Sequence, residues 1–257
     1  MIFDSHVHLD DPKFDTDRDK VIEDLEKNGI CGVINIGSDL NSSLNSINLA
    51  QKYEIIYAAI GTHPSEVGSL DTNYIENLNS IAKNSEKNKK IIAVGEIGLD
   101  YHYGALDKDA QKFWFKEQLK VAKNLNLPII IHSRDAFDDT WHCIDEIGYF
   151  RGVFHCFSYD WTMAQIILDA GFYISFAGNL TYKKSSNLIE CVNKMPLNRI
   201  LVETDCPYLP PDGFRGQRNE PKYIVPTIQK MAEIKNLSVN QVAQITQKSI
   251  SDILGIS

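Results

Sequence analysis

Apolar positions along the chain come in short continuous runs, separated by stretches in which apolar residues recur at helical intervals. The runs are Met1–Val7, Gly32–Ile36, Ile55–Ile60, Ile91–Glu96, Pro128–Ile131, Gly152–Phe154, Phe172–Phe176 and Arg199–Val202, rich in Ile, Val, Phe and Ala. Continuous rather than alternating hydrophobicity marks strands covered on both faces, the condition of a parallel sheet. Between them, Asp15-Thr16 precedes Val21, Ile22 and Leu25 before a stop at Gly29; Asp107 precedes Phe113, Trp114, Leu119 and Val121; and Trp161, Ile166, Ile167 and Leu168 end at Gly171. Strand followed by helix, eight times in 257 residues, predicts an α/β fold of the (β/α)8 TIM-barrel type, with a doubly wound open sheet as the alternative. After Pro221 the pattern is helical only, through Ile224, Ile228, Met231 and Ala232 and then Val242, Ile245, Ile250, Ile253 and Leu254, which predicts helices that close the barrel. No linker, composition shift or repeat divides residues 1–257, so a single domain is expected; Lys87–Lys90 reads as a solvated charged turn.

The polar residues with chemistry in them fall at the C-terminal ends of these runs. The first run ends in His6 and His8, the third in Gly61-Thr62-His63-Pro64, and the fourth in Gly95-Glu96-Ile97-Gly98-Leu99-Asp100. The fifth ends in His132-Ser133-Arg134-Asp135, the sixth in His155-Cys156-Phe157 and the eighth in Glu203-Thr204-Asp205, whereas the second and seventh offer no such ligand. A barrel gathers strand ends around one mouth, where active sites of this fold lie. His6 and His8 share a strand face, with Asp4 behind them. Four histidines (His6, His8, His132, His155) with Glu96 and Asp205 are enough donors for two metal ions, and Glu96 is assigned as the shared carboxylate. Glu203 and Asp205 also share a face, and a cation relieves the repulsion between them, so Asp205 binds metal and accepts a proton while Glu203 stands behind it. Arg134, His63, Tyr101 and His102 are placed to hold an anionic oxygen group. His142 sits in a helical pattern as an ordinary helix residue, and Cys206, next to Asp205, should face away from it.

Composition narrows the class. At 43% hydrophobic residues a large core is available, no apolar run approaches the ~20 residues of a membrane span, and the N-terminus lacks the pattern of a signal peptide, which predicts a cytoplasmic protein with no membrane partner. Five cysteines without CxxC spacing fit reduced thiols that serve packing. A net charge of −8 argues against a broad electrostatic grip on duplex nucleic acid and leaves room for a local cationic site.

Taken together in order and spacing, Phe3–Leu9 (FDSHVHL), Gly61–Pro64 (GTHP), Gly95–Tyr101 (GEIGLDY), Ile131–Ala136 (IHSRDA), Gly152–Ser158 (GVFHCFS), Gly171–Gly178 (GFYISFAG), Glu203–Leu209 (ETDCPYL) and Arg215–Pro221 (RGQRNEP) resemble the TatD-type metal-dependent hydrolases of the amidohydrolase superfamily. The resemblance implies a two-metal centre and deoxyribonuclease activity, 3′→5′ on DNA. It implies that His6, His8, Glu96 and Asp205 hold one metal and Glu96, His132 and His155 the second, with Glu203, His63, Tyr101 and Arg134 lining the pocket beside the Arg215–Pro221 loop. Some members of the family act on D-aminoacyl-tRNA, a carboxyl ester that the same site would serve. The chain departs from the family at Cys206, where serine is usual, and at Ser249 and Leu254 in the last helix; no expected ligand is altered. The leading expectation is therefore metal-assisted phosphodiester hydrolysis with two divalent ions (Mg, Mn or Zn), DNA as substrate and no stable protein partner. The alternatives are a carboxyl-ester hydrolase and a catalytically idle binding protein, the last disfavoured by the complete ligand set. Tyr101, Tyr103, Phe157 and Tyr208 are the candidate rings for base stacking.

Overall fold

The computed structural model describes residues 1–83, 89–102 and 107–255, so Lys87 and Tyr103 lie outside the described residues. The strands are β1 (Ile2–Val7), β2 (Ile30–Ile36), β3 (Ile56–Ile60), β4 (Ile91–Asp100), β5 (Ile129–Arg134), β6 (Gly152–Phe154), β7 (Tyr173–Phe176) and β8 (Ile200–Val202). The helices are α1 (Arg18–Glu23), α2 (Leu40–Lys52), α3 (Tyr74–Lys83), α4 (Lys108–Leu125), α5 (Phe137–Ile147), α6 (Trp161–Asp169), α7 (Ser186–Lys194), α8 (Ile224–Lys235) and α9 (Val239–Leu254). Hydrogen bonding joins the strands in chain order, β1 through β8, into one eight-stranded parallel sheet with surrounding helices, the TIM-barrel arrangement expected from the alternation. No helix among the described residues is long and apolar enough to cross a membrane.

Two strands differ from expectation in a way that bears on the site. β4 runs on from Glu96 to Asp100, and β5 runs on from Ile131 to Arg134, with Gly98 opposite His132, Leu99 opposite Ser133 and Asp100 opposite Arg134. Polar residues that read as loop are thus held in ladder register. Gly98 permits this: at φ +146, a Cβ there would lie 1.8 Å from the His132 carbonyl oxygen. The first helix also differs. It stops at Glu23, a short 3-10 turn at Glu26–Asn28 follows, and Gly29 ends it in the left-handed region. The side chain of its cap, Asp17, makes no bond to the helix because the carboxylate accepts two hydrogen bonds from Arg218, both 2.7 Å.

The chain forms two compact units, Met1–Asn35 with Cys156–Ser257, and Ile36–His155. In the first, α9 packs on β1 and β8, and Ile228, Met231, Val242 and Ile250 from the two last helices are buried, as their periodicity predicts. In the second, α4 covers β4. Asp107 caps that helix by accepting from the Asp109 and Ala110 N–H groups, and Leu119 and Phe115 face the core. Two buried glutamines tie α4 to strand ends. Gln111 exchanges hydrogen bonds with the Asp100 backbone, and Gln118 does the same with that of Thr62.

Asp4 is a buried carboxyl with a structural task in the first unit. It accepts from the N–H of Thr204 (3.0 Å), the hydroxyl of Thr204 (2.7 Å) and the N–H of His6 (3.3 Å), joining β1 to the segment after β8. Burial pushes its pKa up to about 8 against these donors. Asp4→Ala strands three buried donors and is expected to destabilise the fold by roughly 2–4 kcal/mol; Asp4→Asn keeps an acceptor for both N–H groups and is expected to be milder. The folded protein holds a proton that the unfolded chain releases at about pH 4, so wild-type stability should fall relative to Asp4→Asn as pH rises from about 4 to about 8. Urea titrations across that window test this, and a pH-independent difference contradicts it.

Candidate metal centre

In the first unit, β1 delivers the His6 and His8 rings to one point. Their Nε2 atoms lie 3.2 Å apart, and Asp205 Oδ1 is 3.7 Å from the first and 3.5 Å from the second. Backbone pairing sets this meeting: the Asp205 N–H donates to His6 O (2.9 Å), and the His8 N–H donates to Cys206 O (2.8 Å). Asp205 sits at φ 57, a conformation uncommon for a residue with a side chain, and the following turn holds it there. Within that turn the Tyr208 N–H donates to Asp205 O, while Asn219 donates to Thr204 O and Tyr208 O. Glu203 is buried with both oxygens engaged. Oε1 accepts from the Cys156 N–H at 2.7 Å, and Oε2 accepts from the hydroxyls of Ser175 at 2.6 Å and Ser5 at 3.5 Å. Cys206 is fully buried, and burial with the nearby Asp4 charge pushes its thiol well up, so it stays protonated and serves packing, as expected.

In the second unit, imidazoles crowd one carboxylate oxygen. Glu96 Oε1 lies 2.6 Å from His155 Nε2, 2.8 Å from His132 Nδ1 and 3.7 Å from His63 Nε2. His132 has a second carboxylate at its other nitrogen, Asp100 Oδ2 at 3.0 Å from Nε2. Burial alone would raise the Glu96 pKa, but the charges of His155 and His63 and the hydrogen bonds of His132 and His155 hold it well below the usual range. Burial likewise opposes charge on His132, and Asp100 and Glu96 overcome it, so its pKa rises. His63 goes the other way: burial and the neighbouring His132 push it down to about 3, which leaves it neutral. Its Nδ1 accepts from the Ser65 N–H at 3.1 Å and lies 2.7 Å from Ser65 Oγ.

The cluster of the second unit suits divalent ions. Glu96, His132 and His155 bring ligand atoms within 4.8 Å of one another, as do His63, Asp100 and His132. Buried imidazole and carboxylate donors without thiolate match Zn²⁺, Mn²⁺ or related ions, and a cation beside His132 Nδ1 can replace the proton that Glu96 now draws there. Asp100 then fixes the remaining proton on Nε2, a carboxylate–histidine pairing that orients a ligand ring.

Arg134, Tyr101, His102 and His142, also singled out from the sequence, lie in the second unit. Arg134 ends β5 opposite Asp100, and its charge helps to depress the Asp100 pKa, after the opposing effect of burial and the hydrogen bonds of His132 and His102. Tyr101 donates its hydroxyl to Asp139 on α5 at 2.6 Å, with the Lys108 ammonium 4.1 Å over its ring. His102 Nδ1 lies 2.8 Å from Asp135 on the surface, and His142 is exposed on α5. Asp100 is the participant that sequence reasoning passed over. Its role emerges only from the extension of β4 beyond Glu96, which puts Glu96, Gly98 and Asp100 on one strand face.

A parallel eight-stranded barrel with histidine–carboxylate clusters at its strand ends defines a metal-dependent hydrolase of the amidohydrolase type. The chain belongs to the TatD family: the family model described as TatD related DNase matches residues 3–255. It is 38% identical to the uncharacterized metal-dependent hydrolase YabD of Bacillus subtilis, with all of both chains covered. It is 32% identical to the uncharacterized metal-dependent hydrolase YcfH of Escherichia coli, over 100% of this chain and 96% of that one. The crystal structure of YjjV, a TatD homolog from E. coli, superposes with a TM-score of 0.91 at 28% identity, covering 100% of this chain and 98% of the other.

Asp100→Ala is expected to lower affinity for a divalent ion at the Glu96–His132–His155 cluster by about 10- to 100-fold, with the circular dichroism spectrum unchanged. Competition against a chromophoric chelator measures it, and an affinity equal to wild type removes Asp100 from the orienting role.

Proposed function

We propose that this chain is a two-metal phosphodiesterase that removes nucleotides from DNA in the 3′→5′ direction, in the cytoplasm. The observation that carries the proposal is the convergence of His132 and His155 on a single buried oxygen of Glu96, a charge arrangement that calls for a cation. The family's description as a DNase supports the choice of substrate. In this reading His6, His8 and Asp205 serve one ion, and Glu96, His132 and His155 the other. Bound divalent ions supply Lewis acidity toward a phosphorus centre and acidify water.

The chain's own residues divide the remaining work. Asp205, held by backbone hydrogen bonds on either side, accepts the proton lost by the attacking water. Glu203, with both oxygens engaged by donors, positions the Cys156 turn. Neutral His63, whose Nδ1 is engaged by Ser65, directs Nε2 toward the Glu96 cluster, where it can share a hydrogen bond with a phosphate oxygen. Arg134 contributes a permanent positive charge for the phosphate, and Tyr101, steadied by Asp139, borders it.

The test is hydrolysis of end-labelled single-stranded DNA after chelation and then with Mg²⁺, Mn²⁺ or Zn²⁺ restored. Metal-dependent laddering from the 3′ end is expected, and Asp205→Asn should lower kcat roughly 10²- to 10⁴-fold without loss of fold. Full turnover in Asp205→Asn contradicts the proton-acceptor role. Metal binding without DNA cleavage contradicts the nuclease assignment and directs the same assay to the carboxyl ester of D-aminoacyl-tRNA.

A further inference from the structure

We propose that Tyr208 and Lys13 form the subsite for the nucleotide whose ester is cut, the Tyr208 ring stacking its base and the Lys13 ammonium pairing with its phosphate. This rests on the nucleic-acid reading above and names the residues that recognise the substrate. Four rings were candidates from sequence, and the structure separates them. Phe157 is buried at 2% exposure, Tyr101 is half-buried, and Tyr103 lies outside the described residues, whereas Tyr208 is 45% exposed.

The position of Tyr208 is set by the same turn that holds Asp205. Its N–H donates to Asp205 O (2.9 Å), its carbonyl accepts from Asn219 (2.6 Å), and its hydroxyl donates to Asp11 Oδ2 (2.8 Å). A ring fixed at its backbone and at its far end has already lost most of the freedom that binding would take from it. The ring centroid is 6.0 Å from that of His8, with the planes at 71°, so the ring is the immediate neighbour of a proposed metal ligand. Lys13 Nζ lies 4.4 Å from the centre of the Tyr208 ring. An exposed aromatic ring with a cation over it is a combination by which proteins hold single-stranded nucleic acid, the base stacking on the ring and the ammonium leaving it for the phosphate.

If Tyr208 only braced the loop, its loss would harm every substrate alike. The experiment compares a single-stranded oligonucleotide with the same oligonucleotide ending in an abasic 3′ nucleotide, using wild type, Tyr208→Ala, Tyr208→Phe and Lys13→Gln, with bis(4-nitrophenyl) phosphate as a base-free diester. Tyr208→Ala is expected to lower kcat/KM on the intact oligonucleotide roughly 10- to 100-fold, mainly through KM, with a penalty about tenfold smaller on the abasic one. Tyr208→Phe, which keeps the ring, should recover most of the loss, and Lys13→Gln should raise KM and flatten its dependence on salt. An equal penalty on both oligonucleotides, or none on either, overturns the subsite. Wild-type cleavage of the small diester but not of the oligonucleotide overturns it while leaving a phosphodiesterase, and cleavage of neither overturns both readings.

Discussion

The buried charge of Glu96 is the constraint on which the second unit is organised. A carboxylate at 4% exposure has lost nearly all its water, and an uncompensated charge in that setting costs several kcal/mol. Positive charge has to come from somewhere, and His132 and His155 lie 2.8 and 2.6 Å from the same oxygen, while neutral His63 stands at 3.7 Å. Without an ion, protons on the rings supply it, which is why the Glu96 pKa falls and that of His132 rises although burial pushes both the other way. A divalent cation supplies it without protonating the ligands. The length of β4, the absent side chain at Gly98 and the register of β5 all keep Glu96, His132 and Asp100 within reach of one another.

The first unit solves a different problem, that of holding two imidazole rings and a carboxylate together on a backbone that resists it. Asp205 at φ 57 and Leu209 at φ 48 occupy left-handed conformations that cost on the order of 1–3 kcal/mol each when they carry side chains. The turn persists because it is over-determined. Thr204 is bonded to Asp4, Asp205 to the His6 carbonyl, and Asn219 bridges two carbonyls of the turn. Buried polar networks of this kind rigidify only when every member is satisfied, so Asp4 and Asn219 matter to the geometry at Asp205 although neither adjoins it in sequence.

Much of the fold was legible because a sheet covered on both faces writes itself as uninterrupted apolar runs. Even the three-residue strands Gly152–Phe154 and Ile200–Val202 stood out against the polar stretches around them. What pattern could not convey was the continuation of β4 through Gly98-Leu99-Asp100 and of β5 through His132-Ser133-Arg134. Polar and glycine residues read as loop unless their partners are known, and those partners lie in another strand. The same distinction divides the site. The six expected ligands were marked by their place at strand ends, whereas Asp100, Asp4 and Asn219 act through hydrogen bonds to distant residues that leave no trace in spacing. Tyr208 belongs with them, because exposure decides between it and Phe157, and exposure is a property of the folded chain.

The overall charge constrains how the proposed substrate is held. At −8 the protein repels a polyanion at long range, so binding energy cannot come from a broad basic surface of the kind that tracks a duplex. In the proposed reading attraction is local, from bound ions, from the Arg134 guanidinium and from a cation such as Lys13 poised on an aromatic ring. Such a site engages few phosphates at once. That suits an enzyme that grips one strand end and releases it after each cut, and it is a poor design for sliding along intact DNA. A net negative charge and a cation-demanding interior are therefore compatible, provided that recognition is local.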